Sequence, residues 1–523
     1  MASKMLMGDM PELMENILNH LNKEFNSLYS CALVSRHWCK ISIPILWQDP
    51  FTFYHHKPLI ISQYLSSLGK DEKIGLQFML KACKINTQFP KTIFDYASFL
   101  KVLDLYFLKC KVENWLSLQR CPKAPYNLLT FTIIKLLIKK FIESGATLQE
   151  LNLDFSVLDE IQPEICYSLE QNMQFLSRLQ DLSINSISSK SKFNIESLAT
   201  LLKILGKATT KLNTLNIEVP HYYDPQLFHS LICIINSQKQ LKQFYMSDTY
   251  GFSENLHNII SALKSQKQSL QECRIFGCKF TEVFKVLANF ENLETLCVGG
   301  CKSSNNKELL KILEKNFYKI NTFEVITNMG FDTLNIVQCL KKFGSLLQRL
   351  KLEAIGDDIV EQSLLLETIK SFCPNITYLY IWDIGLSAQF QELIGNLQKL
   401  QFLTLYDLDD ELDEIIEEDL RRQVIQFAGR LPSTLQYLDI NSSSLNSYID
   451  ILLNHCNAPL KKLIISHLDE KNAKALIEFS IRKRTLNYVG VHNVNENFKK
   501  EMEGYVTLVP YENAVISVTN KLE

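Results

Sequence analysis

A repeated apolar pattern, L-x-x-L-x-Φ with Φ an aliphatic residue, constrains the fold of this 523-residue chain more than any other feature. It is clearest at Leu148, Leu179 and Leu212, where aliphatic residues follow three and five positions later. Its starts are Leu100, Leu148, Leu179, Leu212, Leu241, Leu270, Leu293, Ile320, Leu347, Ile376, Leu400, Leu435, Leu460 and Leu486, and from Leu148 onward they lie 23 to 35 residues apart. Because such a period is typical of stacked repeats, the pattern favours an elongated array over one compact core.

Helical segments lie between the repeat starts. Asp224 and Pro225 are suited to the N-cap and first turn of a helix, and Phe228, Leu231 and Ile235 follow on one face. Each unit is therefore a strand followed by a helix, and one such unit cannot bury its apolar side alone. We expect an α/β fold of leucine-rich-repeat type: a horseshoe-shaped solenoid with a parallel sheet on the concave face and helices on the convex face.

The N-terminal segment Met10–Trp47 is compositionally unlike the repeats. Its first part predicts a helix with Pro11 in the first turn, where the missing N–H costs nothing. Leu13, Ile17 and Leu18 then fall on one helical face. The segment therefore begins with a short amphipathic helix.

A second helix is predicted from Ser27 to about Trp38. Leu28 belongs to a stripe of small and apolar residues, whereas Leu33 and Val34 lie off that stripe. A segment of fewer than about 50 residues cannot bury two apolar faces by itself. The excess apolar surface predicts a partner protein.

The whole segment resembles an F-box. The Pro-Glu pair at positions 11 and 12, the Ile-Leu pair at 17 and 18 and the phrase CALVSRHWCKISIPILW are close to expanded fungal F-box families. The resemblance implies a three-helix module that binds a Skp-family adaptor and, through it, a cullin-based ubiquitin ligase. The residues that match adaptor-binding positions are Pro11, Leu13, Ile17, Leu18, Leu28, Val34 and Trp38. Met10 stands where the family usually has Leu, and a capped helix pair within a larger domain is the alternative interpretation.

The predicted domain organisation has four parts. They are an F-box at 1–50, a helical connector at 51–98, a solenoid of about 13–14 repeats at 99–495 and a C-terminal cap or tail at 496–523. Within the last part, Tyr505–Val509 and Val515–Val518 are expected to be extended and to cover the open end of the sheet.

The second, fourth and sixth residues after each repeat start are expected to face the concave surface, because the third and fifth point into the core. Early units place carboxylates there, among them Asp104, Glu150 and Asp181. Late units place aromatic residues there: Tyr378, Tyr380, Trp382, Phe402, Tyr406 and Tyr437. Exposed aromatics are typical of binding hot spots, so we predict that a target protein docks on them, with the acidic units favouring a basic segment of it. The alternative is that helices, a loop or the C-terminal tail cover these aromatics.

The composition of the chain argues against nucleic-acid and membrane partners. The net charge of −2 and a pI near 6.6 provide no global field for nucleic acid or an anionic membrane surface. The N-terminus lacks a signal-peptide core, and lysines interrupt the most apolar later run, Leu128–Ile142, so we expect no membrane segment. We therefore expect a cytoplasmic and/or nuclear protein whose fourteen cysteines are reduced thiols.

Neither a metal, a cofactor nor a catalytic motif is predicted. Cys273, Cys278, Cys297 and Cys301 lie in adjacent units, but Cys273 points inward while Cys297 points to the concave face, so the four cannot converge on zinc. There is no phosphate-binding glycine loop, nucleophile elbow or zinc-protease motif. We expect a protein that is not an enzyme.

Together these features predict the substrate-recognition subunit of a Skp-cullin-F-box ubiquitin ligase. The F-box would bind the adaptor, and the concave repeat face would bind an unknown protein target, whose tethering raises its local concentration near the ubiquitin-conjugating enzyme. The alternative is a protein-interaction scaffold that does not lead to degradation.

Overall fold

The computed structural model describes the chain apart from residues 1–10, 23, 53–57, 86–87, 90, 120–125, 159–162, 186–194, 220–223, 249–255, 279, 289, 301–310, 314–318, 327–332, 354–358, 383, 407–416, 493–495, 503 and 516–523. The chain forms two compact units, Met1–Ser269 and Leu270–Glu523. None of the helices within the described residues is long and apolar enough to cross a bilayer.

The described part of the first unit starts with three helices: α1 (Pro11–Asn19), α2 (Phe25–Ala32) and α3 (Arg36–Leu46). Met14 and Leu18 of α1, Leu28 of α2 and Leu46 of α3 share one buried core. Helices this short are marginal alone, so this shared core supplies most of their stability.

The predicted second helix is wrong in its extent. It ends at Ala32, and Ser35 takes an extended conformation with φ −161° and ψ 168°. The Ser35 side chain accepts a hydrogen bond from the backbone N–H of Trp38 at 3.2 Å, which caps α3. Leu33 and Val34 therefore lie in the connection between α2 and α3.

Over the described residues, the rest of the first unit forms two connecting helices and five repeat strands with their helices. In chain order these elements are α4 (Ile60–Ser66), α5 (Lys70–Ala82), β1 (Val102–Asp104), α6 (Leu105–Leu118), α7 (Tyr126–Glu143), β2 (Glu150–Asp154), α8 (Phe155–Leu158), α9 (Pro163–Gln171), β3 (Asp181–Asn185), α10 (Ile195–Ala208), β4 (Thr214–Glu218), α11 (Pro225–Ser237), β5 (Gln243–Ser247) and α12 (Leu256–Ala262). The strands pair in parallel in chain order. Asp224 caps α11 as predicted, accepting hydrogen bonds from the N–H groups of Gln226 and Leu227 at 2.9 and 3.0 Å.

The connecting helices are fixed to the repeats by polar and aromatic contacts. The indole N–H of Trp115 on α6 donates to Ser62 Oγ on α4 at 2.8 Å, and Lys139 of α7 pairs with Glu72 of α5 at 3.0 Å. Tyr64 of α4 packs edge-on against Phe141 of α7, with ring centroids 5.0 Å apart. These contacts join α4 and α5 to the first repeat helices.

In the second unit, the described residues form ten strands that also pair in parallel in chain order. Its elements are β6 (Glu272–Phe276), α13 (Phe280–Leu287), β7 (Thr295–Gly299), β8 (Thr322–Ile326), α14 (Thr333–Phe343), β9 (Arg349–Leu352), α15 (Ile359–Phe372), β10 (Tyr378–Trp382), α16 (Ala388–Asn396), β11 (Phe402–Tyr406), α17 (Glu417–Arg430), β12 (Tyr437–Asp439), α18 (Ile449–His455), β13 (Lys462–Ile464), α19 (Glu470–Lys483), β14 (Tyr488–Val491), α20 (Glu496–Met502), β15 (Thr507–Pro510) and α21 (Tyr511–Ala514).

A strand begins two residues after each repeat start that the sequence identified. Leu179 precedes β3 and Leu400 precedes β11 by this interval, and both leucines are buried. The inward residues of the strands, such as Leu182, Ile184 and Leu403, are fully buried. The predicted α/β solenoid of leucine-rich-repeat type is confirmed.

Candidate functional site

Apolar side chains are exposed on the three-helix module in spite of its buried core. Leu13 and Ile17 are 45% and 43% exposed and lie one turn apart on α1, so they share a face. Leu33 and Val34, between α2 and α3, are 70% and 63% exposed. Large apolar side chains on so small a module mark a surface that a partner protein can cover.

Other residues that matched adaptor-binding positions lie elsewhere. Leu18 and Leu28 are each 1% exposed and belong to the core of the module, so they have no surface to offer a partner. Trp38 is half-buried and packs against the same core. Pro11 begins α1, and its side chain lies outside the described residues. The sequence pattern thus combined surface and core residues in one set.

The sheet of the first unit carries a group of carboxylates on the predicted face. The side-chain amide of Asn152 donates to Asp104 Oδ2 at 3.1 Å and to Glu150 Oε1 at 3.2 Å, which brings these two carboxylates to the same amide. Asp181 lies directly beside Glu150 in the register of β2 and β3. Burial, and then the nearby charges of Asp181 and Asp49, raise the pKa of Glu150. This surface is suited to a positively charged partner group.

The first strands of the second unit carry charged residues on the face that was predicted to be concave. In register across β6 to β9 lie Arg274, Cys297, Glu324 and Lys351. Arg274 donates to both carboxylate oxygens of Glu324 at 3.0 and 3.1 Å, and Glu324 is only 2% exposed. The Lys351 ammonium lies 4.6 Å from the ring centre of Tyr380. These charges hold the strands together and are already paired within the chain.

The aromatic residues of β10, β11 and β12 follow on the same face, and three of the six are not exposed. Tyr378, Phe402 and Tyr437 are 3%, 8% and 1% exposed and form a cluster with Ile464 and Ala514. This corrects the expectation that they lie open for a target. The alternative prediction, cover by the C-terminal tail, describes these three residues.

Tyr380, Trp382 and Tyr406 remain partly exposed. The rings of Trp382 and Tyr406 meet edge to face with centroids 4.8 Å apart. Tyr380 packs against the cluster beneath α21, together with Tyr511. These three residues are the part of the predicted target-binding set that solvent reaches.

A buried carboxylate lies on β12, the last of the three strands that carry the aromatic residues. Asp439 of β12 is 5% exposed; it accepts hydrogen bonds from the Tyr437 hydroxyl at 3.2 Å and from the Asn441 backbone N–H at 3.1 Å. Burial raises the pKa of Asp439 to about 6, although these hydrogen bonds and the charge of His492 oppose the shift. Asp439 therefore changes its charge near neutral pH.

Of the four cysteines in adjacent units, the three that the structure describes are packing residues. Cys273 and Cys297 are completely buried, and burial raises the pKa of both thiols. Cys278 is also buried, whereas Cys301 lies outside the described residues. In the described part of the chain, no three His, Cys, Asp or Glu residues are grouped so as to hold a metal ion.

The site residues predicted from the sequence omit two contributions to these surfaces. Among the described residues of the three-helix module, Leu33 is the most exposed large apolar one, and although the sequence places it off the apolar stripe, it is absent from the predicted adaptor-binding set. Gly490 lies under Ala514, where a Cβ atom on the glycine would come within 2.6 Å of the alanine Cβ. A glycine at the fourth position of the repeat, where other units place polar or aromatic residues, signals a close approach by another segment.

Comparison with known domains identifies the N-terminal module. Residues 11–52 match the F-box-like family, so this part of the chain is an F-box-like domain. A search of curated protein sequences gave no match. The family match indicates no catalytic family, and F-box-like domains are typically interaction modules.

Several solved structures are similar to the chain. The yeast Rad7 and Elc1 complex matches with a TM-score of 0.40 and 16% identity, over 79% of this chain and 99% of that chain. A Bacteroides fragilis protein matches with a TM-score of 0.29 and 13% identity, over 59% and 76%. The leucine-rich-repeat protein LegL7 from Legionella pneumophila matches with a TM-score of 0.31 and 13% identity, over 58% and 86%. At these scores the fold assignment rests on the strand order and register of the chain itself.

Proposed function

We propose that this protein is a substrate-recognition subunit of a Skp-cullin-F-box ubiquitin ligase. The observation that carries the proposal is the exposure of Leu13, Ile17, Leu33 and Val34 on an F-box-like domain that has its own buried core. Burying these side chains against a Skp-family adaptor would remove apolar surface from water, which favours association. The repeats would hold a protein target, and the complex would act in the cytoplasm and/or nucleus.

Six of the seven residues that match adaptor-binding positions divide into two roles in this proposal. Leu13, Ile17 and Val34 contact the adaptor directly because their side chains are exposed. Leu18 and Leu28 form the core that fixes the direction of those side chains, and Trp38 supports the start of α3. Pro11 begins α1.

The repeats contribute by binding and not by chemistry. Tethering a target beside a ubiquitin-conjugating enzyme raises the effective concentration of its lysines, so no cofactor, metal, nucleic acid or membrane is required. The carboxylates Asp104, Glu150 and Asp181 favour a basic segment of that target. Tyr380, Trp382 and Tyr406 supply aromatic contacts. Membership of a fungal F-box family is part of the same proposal and is supported by the resemblance of residues 31–47.

The proposal is tested by mixing the purified chain with a purified Skp-family adaptor. Wild type is expected to elute with the adaptor in size-exclusion chromatography. The double variant Leu33→Asp/Val34→Asp is expected to weaken the complex at least tenfold, because it places two charges in the contact while leaving the core intact.

The matched control changes two apolar residues of similar exposure outside the F-box-like domain. Ile74 and Phe78 of α5 are 56% and 78% exposed, and Ile74→Asp/Phe78→Asp is expected to leave adaptor binding unchanged. Absence of a complex with wild type would refute the proposal. Ubiquitin transfer to captured targets in a reconstituted ligase then distinguishes a degradative receptor from a scaffold.

A further inference from the structure

The C-terminal segment of the chain lies on the aromatic face of the second unit. After β15, the chain turns through α21, and Ala514 becomes fully buried against Tyr378, Phe402, Tyr437 and Ile464. These residues come from β10, β11, β12 and β13. The face therefore already holds a short peptide segment, and that segment belongs to the protein itself.

The segment is attached through two side chains three residues apart. Tyr511 is half-buried and Ala514 is fully buried, whereas Glu512 and Asn513 between them are exposed. One helical turn brings positions i and i+3 to the same side, which explains why these two point to the sheet. Recognition is therefore carried by one aromatic and one small side chain.

The position of Ala514 is shaped for a small side chain. Gly490 of β14 lies under it, and a Cβ atom on Gly490 would be 2.6 Å from Ala514 Cβ and 2.7 Å from Ile464 Cδ1. The neighbouring unit places Ile464 itself at this register. The glycine thus opens a depression in the sheet face that an alanine-sized group fills.

The position of Tyr511 is shaped for a ring. Its centroid lies 4.6 Å from that of His492, and the side chain packs against the aromatic cluster. Within the described residues the Tyr511 hydroxyl makes no hydrogen bond, so the ring and not the hydroxyl carries the contact. Burial and the charge of Asp439 raise the pKa of Tyr511, which keeps the phenol neutral.

We propose that this aromatic face is a peptide-binding site for target segments that present an aromatic residue followed three positions later by Ala or a residue of similar size. The chain's own Tyr511 and Ala514 occupy this site in the free protein as an internal ligand. A target binds there by displacing α21, which exposes Tyr378, Phe402 and Tyr437 to it. This inference rests on the proposed function as a target receptor and names the chemistry of the target.

The contacts of α21 allow displacement. The helix has four residues, and in the described structure none of their side chains makes a hydrogen bond or ion pair. The segment is held by apolar contact and by its covalent link to β15, which gives it a high effective concentration. A target with the same two side chains and further contacts on Trp382 and Tyr406 can therefore compete with it.

The test uses a fluorescein-labelled peptide of residues 507–515, TLVPYENAV, and the full-length chain. We expect at least tenfold tighter binding of this peptide to the variant Ala514→Asp than to wild type, because the charged side chain removes the internal ligand from its buried position. A peptide in which the alanine is replaced by aspartate should bind neither protein. A peptide in which the tyrosine is replaced by phenylalanine should bind as well as the original.

A second variant changes the binding site and leaves the sequence of the internal ligand unchanged. Gly490→Ala fills the depression, so it should release α21, seen as faster hydrogen exchange in residues 511–515, without gaining affinity for the peptide. A third measurement needs no variant: excess unlabelled peptide should accelerate exchange in residues 511–515 of wild type. If the peptide binds Ala514→Asp no better than wild type, or does not accelerate exchange in wild type, then α21 is a permanent cap and the inference is wrong.

These measurements are independent of the ligase proposal. They contain no adaptor, and Ala514→Asp lies outside the F-box-like domain. Loss of peptide binding with intact adaptor binding would overturn only the peptide site. Loss of adaptor binding with intact peptide binding would overturn only the ligase assignment.

Discussion

Arg274 of β6 binds Glu324 of β8 across the intervening strand β7, with both guanidinium N–H groups donating to the carboxylate at 3.0 and 3.1 Å. Its third nitrogen, Nε, donates to Glu272 at 2.6 Å. The pair links residues 50 positions apart in the sequence. A planar guanidinium satisfies a carboxylate in this two-bonded geometry, which an ammonium group cannot reproduce.

Replacing Arg274 is therefore expected to destabilise the second unit. In Arg274→Met, the Glu324 carboxylate at 2% exposure would lose its cation, at a cost of about 3 kcal/mol. Urea denaturation followed by hydrogen exchange of β6 to β9 measures this change. The double variant Arg274→Met/Glu324→Leu should recover most of the loss, because it removes both charges. If the double variant is no more stable than Arg274→Met, then the loss of stability comes from the packing of the two aliphatic side-chain stems and not from their charges.

The raised pKa of Asp439 predicts how the stability of the second unit depends on pH. The native state binds the Asp439 proton more tightly than the unfolded chain, whose carboxyl titrates near 3.8. The free energy of unfolding should consequently rise as the pH falls from about 7 through the native pKa of about 6 and should level off near the unfolded pKa.

Asp439→Asn is the variant that isolates this effect. It is expected to be about 1–2 kcal/mol more stable than wild type at pH 7.5 and equally stable near pH 4, because the amide does not titrate. Urea unfolding at a series of pH values gives both quantities. If Asp439→Asn is less stable than wild type at pH 7.5 and its stability depends on pH as that of wild type does, then a group other than Asp439 causes the pH dependence.

Gly299 at the end of β7 is required by the close approach of its neighbours. A Cβ atom there would be 2.3 Å from Cδ1 of Phe276 and 2.5 Å from the carbonyl oxygen of Ile326. Since the carbonyl belongs to the backbone of β8, it cannot move aside cheaply, and Gly299→Ala is expected to cost about 2–3 kcal/mol. The control is Gly385→Ala, where no heavy atom lies within 4 Å of the added carbon. That variant should change the stability by less than about 0.5 kcal/mol, as measured by the same urea unfolding.

The repeat architecture could be predicted from the sequence because its cause is local. Each start, such as Leu179 or Leu400, is buried and fixes the inward alternation of the strand that follows. The aromatic face was predicted from the same alternation. Cover by the C-terminal tail was one of three alternatives, and the sequence could not select it, since nothing in the residues from Pro510 to Ala514 shows which distant surface they contact. Pairing of Arg274 with Glu324 likewise depends on the register of strands that are far apart in sequence.

The F-box-like domain shows a second kind of limit. Helical periodicity placed Ile17 and Leu18 together, although they are adjacent residues and point in directions about 100° apart. Ile17 is 43% exposed and Leu18 is 1% exposed, so a family match alone does not separate contact from core. A similar limit explains why the second helix was predicted to be too long. Ser35 caps α3 because its backbone is extended, and the apolar residues beside it give no sign of that conformation.

This difference between Ile17 and Leu18 predicts opposite behaviour for two neighbouring substitutions. Leu18→Ala leaves a cavity among Met14, Leu28 and Leu46, so the F-box-like domain should lose about 2–4 kcal/mol of stability, and adaptor binding should be affected only as far as the domain unfolds. Ile17→Asp should leave the stability within about 0.5 kcal/mol of wild type but weaken adaptor binding at least tenfold, because it puts a charge into the contact. Thermal unfolding of the domain and titration calorimetry with the adaptor measure the two effects separately. If Ile17→Asp bound the adaptor normally, the face of α1 that carries Leu13 and Ile17 would not be the adaptor surface, and the exposed residues Leu33 and Val34 would have to carry the contact alone.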